Sequence, residues 1–227
     1  RDHTSMKTVK ASYYRGVEDR VEQDNAVNRL CIFIGGGTDK GKTYAVKEAL
    51  KGKPFVEIGG QESGRYDDLK PYHEALVIND DKGTNLLNVC DNYMCKVYRR
   101  NSNNPYWCGS WYVVTSNKSF AQWLADSGIN LEEHYDAMES RFYICHVETD
   151  ADGKDRLVCT HASKRGTDEM QEDKIKRFLD FREKFEKSLA EYKVIQQAAQ
   201  NVDYSAVLGQ PPTPPTIPPL TEDELFK

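Results

Sequence analysis

The sequence predicts an α/β fold with a mostly parallel sheet, and three observations lead to that prediction. Apolar strand-like runs alternate with helical patterns between about residues 27 and 165, as a parallel sheet with covering helices requires. Several runs, such as CIFIG and WYVVT, are almost continuously apolar, which suits strands buried on both faces. The first run leads directly into glycines and then into a helical pattern. At 227 residues the chain can hold one such domain with attachments.

The individual elements follow in a regular order. In chain order they are strand RLCIFIG, helix TYAVKEAL, strands PFVEIGG and ALVIND, helix LLNVCDNYM, strand SWYVVTSN and helix FAQWLADSG. The segment RFYICHVETDADGKDRLVCTH then predicts a hairpin, because two alternating runs flank a cluster of turn residues. The core domain is therefore expected to span residues 27–165.

Three further segments flank this core. Residues 1–26 predict a connector or oligomerisation helix, and residues 166–201 predict one long helix. Residues 202–227 are rich in proline, so we expect a disordered tail that is either inert or a ligand for a protein partner. The long helix is expected to pack through an apolar stripe of Ile175, Leu179, Phe185, Leu189, Tyr192 and Ile195.

The glycine-rich segment CIFIGGGTDKGKT is the most specific signal in the chain. Gly36, four residues, and then Gly41-Lys42-Thr43 fit the pattern G-x-x-x-x-G-K-[ST]. The preceding strand and following helix are the context that a phosphate-binding loop requires, because its backbone must approach the phosphates closely. The expected nucleotide-binding residues are Gly36, Gly37, Thr38, Asp39, Lys40, Gly41, Lys42 and Thr43.

Polar residues follow two of the later strands. ALVIND runs into Asp80-Asp81, and a carboxylate at a strand end is the usual partner of the loop threonine in holding Mg²⁺. We assign Asp80 and Thr43 to the metal and Asp81 to the attacking water. The strand SWYVVTSN ends in Asn117, whose amide can orient that water or contact the γ-phosphate. The acidic pair could also be a solvated surface turn.

A basic and aromatic stretch, KVYRRNSNNPYW, lies between these two strands. It places Arg99 and Arg100 beside tyrosine and tryptophan rings. Cations contact phosphates and rings stack on bases, so the stretch suits single-stranded nucleic acid. It suits a solvated hairpin equally well.

Composition limits the other function classes. A net charge of −5 argues against a general nucleic-acid coat, so any contact with nucleic acid is expected at a local basic surface. The six cysteines lack the short paired spacing of a zinc site. The sequence contains neither a signal peptide nor a long apolar span, so we expect a protein in a reducing compartment and no membrane partner.

The order of these parts resembles the superfamily 3 helicase domain. The closer similarity is to the helicase part of the replication initiators, or Rep proteins, of circular single-stranded DNA viruses and rolling-circle plasmids. It rests on the phosphate loop, on YDDLKPYHEALVINDDKGTNLLNVCDNYMCKV and on YVVTSN, and spans roughly Leu30 to Val147.

The resemblance implies an AAA+-like P-loop ATPase that uses ATP and Mg²⁺, assembles as a homo-oligomeric ring (usually a hexamer) and moves along single-stranded DNA. On that basis Lys42 holds the β- and γ-phosphates and Asn117 senses the γ-phosphate. Arg141, in MESRFY, is the expected arginine finger for the neighbouring subunit's ATP. Lys96, Arg99 and Arg100 would contact DNA in the central channel.

The sequence also departs from the Rep pattern. It contains no His-x-His of the family's endonuclease domain, its basic stretch lacks the usual lysine-glycine turn, and the long helix and proline tail lie outside the resemblance. Two alternatives therefore stay open: an RNA helicase of an RNA virus, and a nucleotide-operated assembly module that does not unwind. A plasmid or phage protein would be cytoplasmic, whereas a eukaryotic viral protein would enter the host nucleus.

Overall fold

The computed structural model describes residues 26–59, 66–97 and 106–200. The chain divides into two compact units, Arg1–Lys193 and Val194–Lys227. The site described below, and all of the described fold except residues 194–200, belong to the first unit. The predicted helix within residues 1–26 and the proline tail at 202–227 lie outside the described residues, apart from Ala26.

The central element is a six-stranded sheet. Its strands, in chain order, are β1 (Leu30–Gly35), β2 (Phe55–Gly59), β3 (Ala75–Asn79), β6 (Trp111–Thr115), β7 (Phe142–Thr149) and β8 (Asp155–His161). Their order across the sheet is β2-β3-β6-β1-β7-β8. All neighbours pair in parallel except β7 and β8, which form an antiparallel hairpin. The predicted α/β class with a mostly parallel sheet is confirmed.

A separate two-stranded sheet and five helices complete the described fold. The small sheet pairs β4 (Cys95–Lys96) with β5 (Tyr106–Trp107). The helices are α1 (Lys42–Ala49), α2 (Leu86–Val89), α3 (Phe120–Asp126), α4 (Leu131–Glu139) and α5 (Asp168–Gln200). Helix α4 was not predicted, although Asn130 caps it and two glutamates occupy its first turn.

Apolar side chains cover both faces of the sheet. One face packs against α3 and α4, through residues that include Phe120, Trp123 and Met138. The other packs against α1 and α5. Helix α5 buries Phe178, Phe181, Phe185 and Leu189 there. Each such side chain contributes about 1.5–3 kcal/mol of hydrophobic stabilisation, so α5 is part of the domain core.

The predicted apolar stripe of α5 is wrong at three of its positions, of which Ile195 is 53% exposed. Ile175 and Leu179 are 49% and 54% exposed, and the buried positions beside them are Lys174 and Phe178. In the first half of the helix the buried face is therefore shifted by one residue from the prediction, whereas Phe185 and Leu189 are buried as predicted. The physical reason is that a phenylalanine ring buries more area than the adjacent aliphatic side chain, so the face with the rings turns toward the sheet.

Helix α2 ends earlier than predicted because a buried arginine binds the carbonyls that would continue it. Arg29, just before β1, is 1% exposed and donates to the carbonyl oxygens of Val89, Asp91 and Tyr93. It also donates to two carbonyls near β5, at Trp107 and Gly109. The carbonyls of Val89, Asp91 and Tyr93 converge on one guanidinium, whereas the carbonyls of a helix all point along its axis, so the chain leaves the helix after Val89.

The segment Val89–Tyr93 lies at the amino edge of the sheet, where the parallel strands begin. The carboxylate of Asp91, in this segment, forms ion pairs with the guanidinium groups of Arg141 and Arg165, each with an N–O distance of 3.3 Å. Burial alone would raise the pKa of Asp91, but the Asn92 N–H and the two guanidiniums hold it below its ordinary value. This edge is therefore fixed by buried cations on carbonyl and carboxylate oxygens.

Candidate phosphate-binding site

The phosphate loop connects β1 to α1 at the opposite, carboxyl edge of the sheet. Gly41 immediately precedes α1 with φ of 73°, in the left-handed region that glycine adopts without strain. Within the described part of the chain, no side chain caps the first turn of α1. Its first backbone N–H groups therefore remain available to an anion, and the helix dipole favours negative charge there.

Lys42 lies beneath the loop and is only 6% exposed. Its Nζ donates to the carbonyl oxygens of Gly36 at 2.9 Å and Gly37 at 2.7 Å, and to Asn117 Oδ1 at 2.9 Å. Burial lowers the pKa of Lys42, while the nearby carboxylate of Asp80 acts in the opposite direction. Three neutral oxygens thus hold a cation beside the loop, with no direct carboxylate contact among those bonds.

The loop threonine is bonded to the end of β3. Thr43 Oγ1 donates to Asn79 Oδ1 at 2.8 Å, and Thr115 Oγ1 donates to the same oxygen at 3.0 Å. Asn79 Nδ2 in turn donates to Glu57 Oε1 at 3.0 Å. Because β6 lies between β1 and β3, the carboxyl ends of these strands meet at one place. Asn79 and Glu57 were not among the predicted site residues.

Asp80 and Asn117 face each other across the ends of β3 and β6. The Asn117 backbone N–H donates to Asp80 Oδ1 at 3.0 Å, and its side-chain Nδ2 lies 3.4 Å from Asp80 Oδ2. Asp80 has a φ of 48°, which is uncommon for a residue with a Cβ and tends to occur at functional sites. The Asn117 amide therefore connects the lysine of the loop to the first carboxylate of the predicted acidic pair.

These groups surround one open cavity of about 280 Å³. It is lined by Thr38, Asp39, Lys40, Gly41, Lys42, Thr43, Tyr44, Asn79, Asp80, Asn117 and Tyr192. The fold thus brings most of the predicted loop residues together with Asp80 and Asn117. Tyr44 and Tyr192 were not predicted to line the site, and Tyr192 comes from α5.

Asp81 lines a second cavity beside the first, which also includes Asp80 and Asn117. The Asp81 carbonyl accepts a hydrogen bond from Trp123 Nε1 at 2.9 Å, and its Oδ1 accepts the Lys82 N–H at 2.7 Å. The indole of Trp123 is buried in the core. The hydrogen bond from this buried indole therefore fixes the position of the acidic turn, which is the turn that carries Asp80 and Asp81.

The donor groups at the loop suit a magnesium ion that arrives with a nucleotide. Mg²⁺ is usually held by one or two carboxylates and hydroxyls together with substrate phosphates and water. The Thr43 hydroxyl, the Asn79 amide oxygen and the Asp80 carboxylate line the same cavity. Within the described ranges, no three His, Cys, Asp or Glu side chains gather into a metal centre of their own.

Arg141 is far from the loop within its own chain. It directly precedes β7, which runs parallel to β1, so it lies at the amino edge. The side chain is 8% exposed and donates to the Ala137 carbonyl at 2.5 Å and to Asp91 at 3.3 Å. These contacts are those of a structural ion pair, and the arginine-finger role stays a hypothesis.

The predicted nucleic-acid stretch is described only in part. Lys96 is exposed on β4, opposite Tyr106 of β5, with its Nζ 5.3 Å from the centroid of that ring. Arg99 and Arg100 lie outside the described residues. Among the residues that are described, no helix combines the length and apolar character needed to cross a bilayer.

Comparison with models of known protein families and with curated proteins finds no match. Among solved structures, the C-terminal region of NrS-1 aligns with 77% of this chain at 13% identity and a TM-score of 0.34. A JCV helicase aligns with 85% at 10% identity and a TM-score of 0.35. The alignments cover 38% and 57% of those two chains. Structural similarity at these identities and TM-scores does not support an inference about activity.

Proposed function

We propose that this chain is an ATP hydrolase of the P-loop type that uses Mg²⁺. The observation that carries the proposal is the convergence of Lys42, Thr43, Asp80 and Asn117 on one cavity at the glycine-rich loop. A buried ammonium, unfilled helix N–H groups and a strand-end carboxylate are the groups that phosphoryl transfer needs. Almost all the catalytic effect in this reaction class comes from positioning and charge stabilisation.

Each side chain has a proposed task. The Lys42 ammonium exchanges its bonds to the Gly36 and Gly37 carbonyls for oxygens of the β- and γ-phosphates. Thr43 and Asp80, with Asn79 beside them, would hold Mg²⁺, which supplies charge neutralisation on the phosphates. Asp81 orients the attacking water, and Asn117 contacts the γ-phosphate.

We further propose that hydrolysis drives unwinding of DNA, as the resemblance to superfamily 3 helicases implies. The expected replicon is small and circular, and the chain would be the helicase part of a Rep initiator. In this proposal the active form is a ring, most simply a hexamer. Lys96, Arg99 and Arg100 contact single-stranded DNA, and Arg141 is the candidate for the contact between subunits.

The test is ATP-dependent unwinding of a forked DNA duplex, with Lys42→Ala as the inactive control. We expect strand separation by the wild-type protein in ATP and Mg²⁺ and none by the variant. A forked RNA duplex in parallel distinguishes the RNA helicase alternative. Hydrolysis without unwinding of either duplex would contradict the helicase proposal and favour the assembly module, whereas absence of nucleotide binding would contradict the phosphate-loop proposal itself.

A further inference from the structure

Two tyrosine rings lie together at the cavity beside the phosphate loop. Tyr44 follows Thr43 on α1, and Tyr192 lies near the far end of α5. Their ring centroids are 5.4 Å apart with an interplanar angle of 33°, so the rings are in contact. Both are only partly buried and both line the cavity. Among the described residues that line it, they are the two aromatic ones.

The Tyr192 ring rests directly on the backbone of the phosphate loop. A Cβ added at Gly41 would lie 2.4 Å from Tyr192 Cδ1, which is closer than real side chains approach. Gly41 is therefore constrained twice, by its positive φ and by the ring above it. The contact places an aromatic surface beside the first turn of α1, where the predicted phosphates would bind.

Polar contacts fix the position of this part of α5. Lys193, the next residue after Tyr192, lies 2.8 Å from Asp155 Oδ2 and donates to the Gly153 carbonyl at 2.9 Å. Asp155 Oδ1 accepts from Thr149 Oγ1 at 2.6 Å, and Lys40 Nζ of the phosphate loop donates to the same hydroxyl at 3.4 Å. The ring is thus held in place before any ligand arrives, which reduces the entropy lost on binding.

When the phosphates of a nucleoside triphosphate occupy the loop, its nucleoside lies beyond the polar side chains that surround the loop. The other described residues of the lining are polar or charged, apart from Gly41, so among the described residues a planar apolar base has one aromatic surface to pack against. The two rings already touch each other, so the base packs on the face of the pair rather than between the rings.

We propose that Tyr44 and Tyr192 form the base-binding surface of the nucleotide site. The proposal rests on the proposed function and extends it: the loop binds the phosphates, and α5 contributes to recognition of the base. Helix α5 is then part of the active site as well as of the core. The ligand class is a nucleoside triphosphate with an aromatic base, bound more tightly than a triphosphate without one.

The test compares two ligands that share the phosphates, Mg-ATP and Mg-tripolyphosphate, by isothermal titration calorimetry. We expect Tyr192→Ala to weaken ATP about tenfold, since one ring–base stack contributes roughly that much, and to leave tripolyphosphate within about twofold. Tyr192→Phe should retain the ATP affinity. Tyr72→Ala is the matched control, because Tyr72 is 59% exposed and lies outside the cavity lining.

The outcomes separate this proposal from the proposed function. Equal weakening of both ligands by Tyr192→Ala, or no weakening of either, would overturn the base-binding role while leaving the phosphate loop intact. Wild-type protein that binds neither ligand would refute the phosphate loop, and the base surface with it. If Tyr192→Ala does not fold, Tyr192→Leu keeps the apolar packing without the ring, and the same difference between the two ligands is expected.

Discussion

Two buried lysines at opposite edges of the sheet have almost the same contacts. Lys42, at the carboxyl edge, donates to the carbonyls of Gly36 and Gly37 and to the amide oxygen of Asn117. Lys174, at the amino edge, donates to the Arg165 carbonyl at 2.7 Å and to the Asn92 amide oxygen at 3.2 Å. The two side chains are 6% and 1% exposed. Burial lowers the pKa of both.

The difference lies in what surrounds each ammonium. Lys42 lines an open cavity next to unfilled N–H groups at the start of α1, so its neutral oxygen partners can be exchanged for phosphate. Lys174 is enclosed by α5, the Val89–Tyr93 segment and the turn before α5. A buried cation on carbonyl oxygens is therefore no indication of a ligand site by itself. The adjoining cavity is what distinguishes the two.

The largest expected effect comes from Lys42→Ala. We expect ATP hydrolysis to fall at least 100-fold, because removing one charge-stabilising donor from an active site typically costs about 10²–10³ in rate. Melting temperature should change by only a few degrees, since the freed carbonyls can be hydrated from the cavity. Lys174→Met is the paired variant, expected to hydrolyse ATP normally per folded molecule. Wild-type turnover by Lys42→Ala would contradict the comparison.

The next effect concerns Arg141 and separates a structural role from a contact between subunits. Arg141→Ala should lower the free energy of unfolding by about 2–3 kcal/mol, because Asp91 loses a largely buried partner. Arg165→Ala is the matched control. It removes a 45%-exposed partner of the same carboxylate and should cost less than about 1 kcal/mol. Urea denaturation measures both.

The arginine-finger hypothesis predicts a further result with the same variant. If Arg141 serves the neighbouring subunit, mixing Arg141→Ala with Lys42→Ala restores part of the ATPase activity, since some interfaces then pair an intact pocket with an intact finger. A purely structural ion pair restores nothing on mixing. Normal hydrolysis per folded molecule by Arg141→Ala alone would exclude the finger.

The smallest expected effect is the change of protein stability with pH that results from the enclosed lysine, Lys174. Burial lowers the pKa of Lys174 to about 8 from its ordinary 10.5. Between these values the unfolded chain binds more protons than the folded one, so stability rises with pH. We expect the stability of wild type relative to Lys174→Met to increase by about 2 kcal/mol between pH 7 and pH 9.5. An unchanged difference in urea denaturation would show that the site is open to water.

The sequence predicted the parts of the site that depend on local pattern. The loop residues are fixed by their spacing, and Asp80 and Asn117 each follow an apolar strand. Asn79 was missed because its role depends on the strand order, which places β6 between β1 and β3. Tyr192 was missed because its position depends on how α5 is rotated against the sheet. Neither the strand order nor the rotation of α5 can be predicted from the sequence pattern.

The burial of charged side chains is the second feature that the sequence did not predict. The sequence does not show that Arg141 is buried, because its contact with Asp91 joins two segments distant in the chain. Likewise, the predicted stripe of α5 included Ile175 and Leu179. Both side chains are exposed because Phe178 and Phe181 occupy the buried face of the helix. Both features depend on long-range packing and not on the choice of element.

The three tryptophans of the chain are distributed unevenly between the two edges. Trp107 and Trp111 are buried near the amino edge beside Arg29 and Arg177. Trp123 alone is bonded to the acidic turn at the carboxyl edge, through the Asp81 carbonyl. Indole emission depends on its hydrogen bonds and on nearby charge. The protein thus contains its own optical reporter of the candidate site, and two internal references that lie away from it.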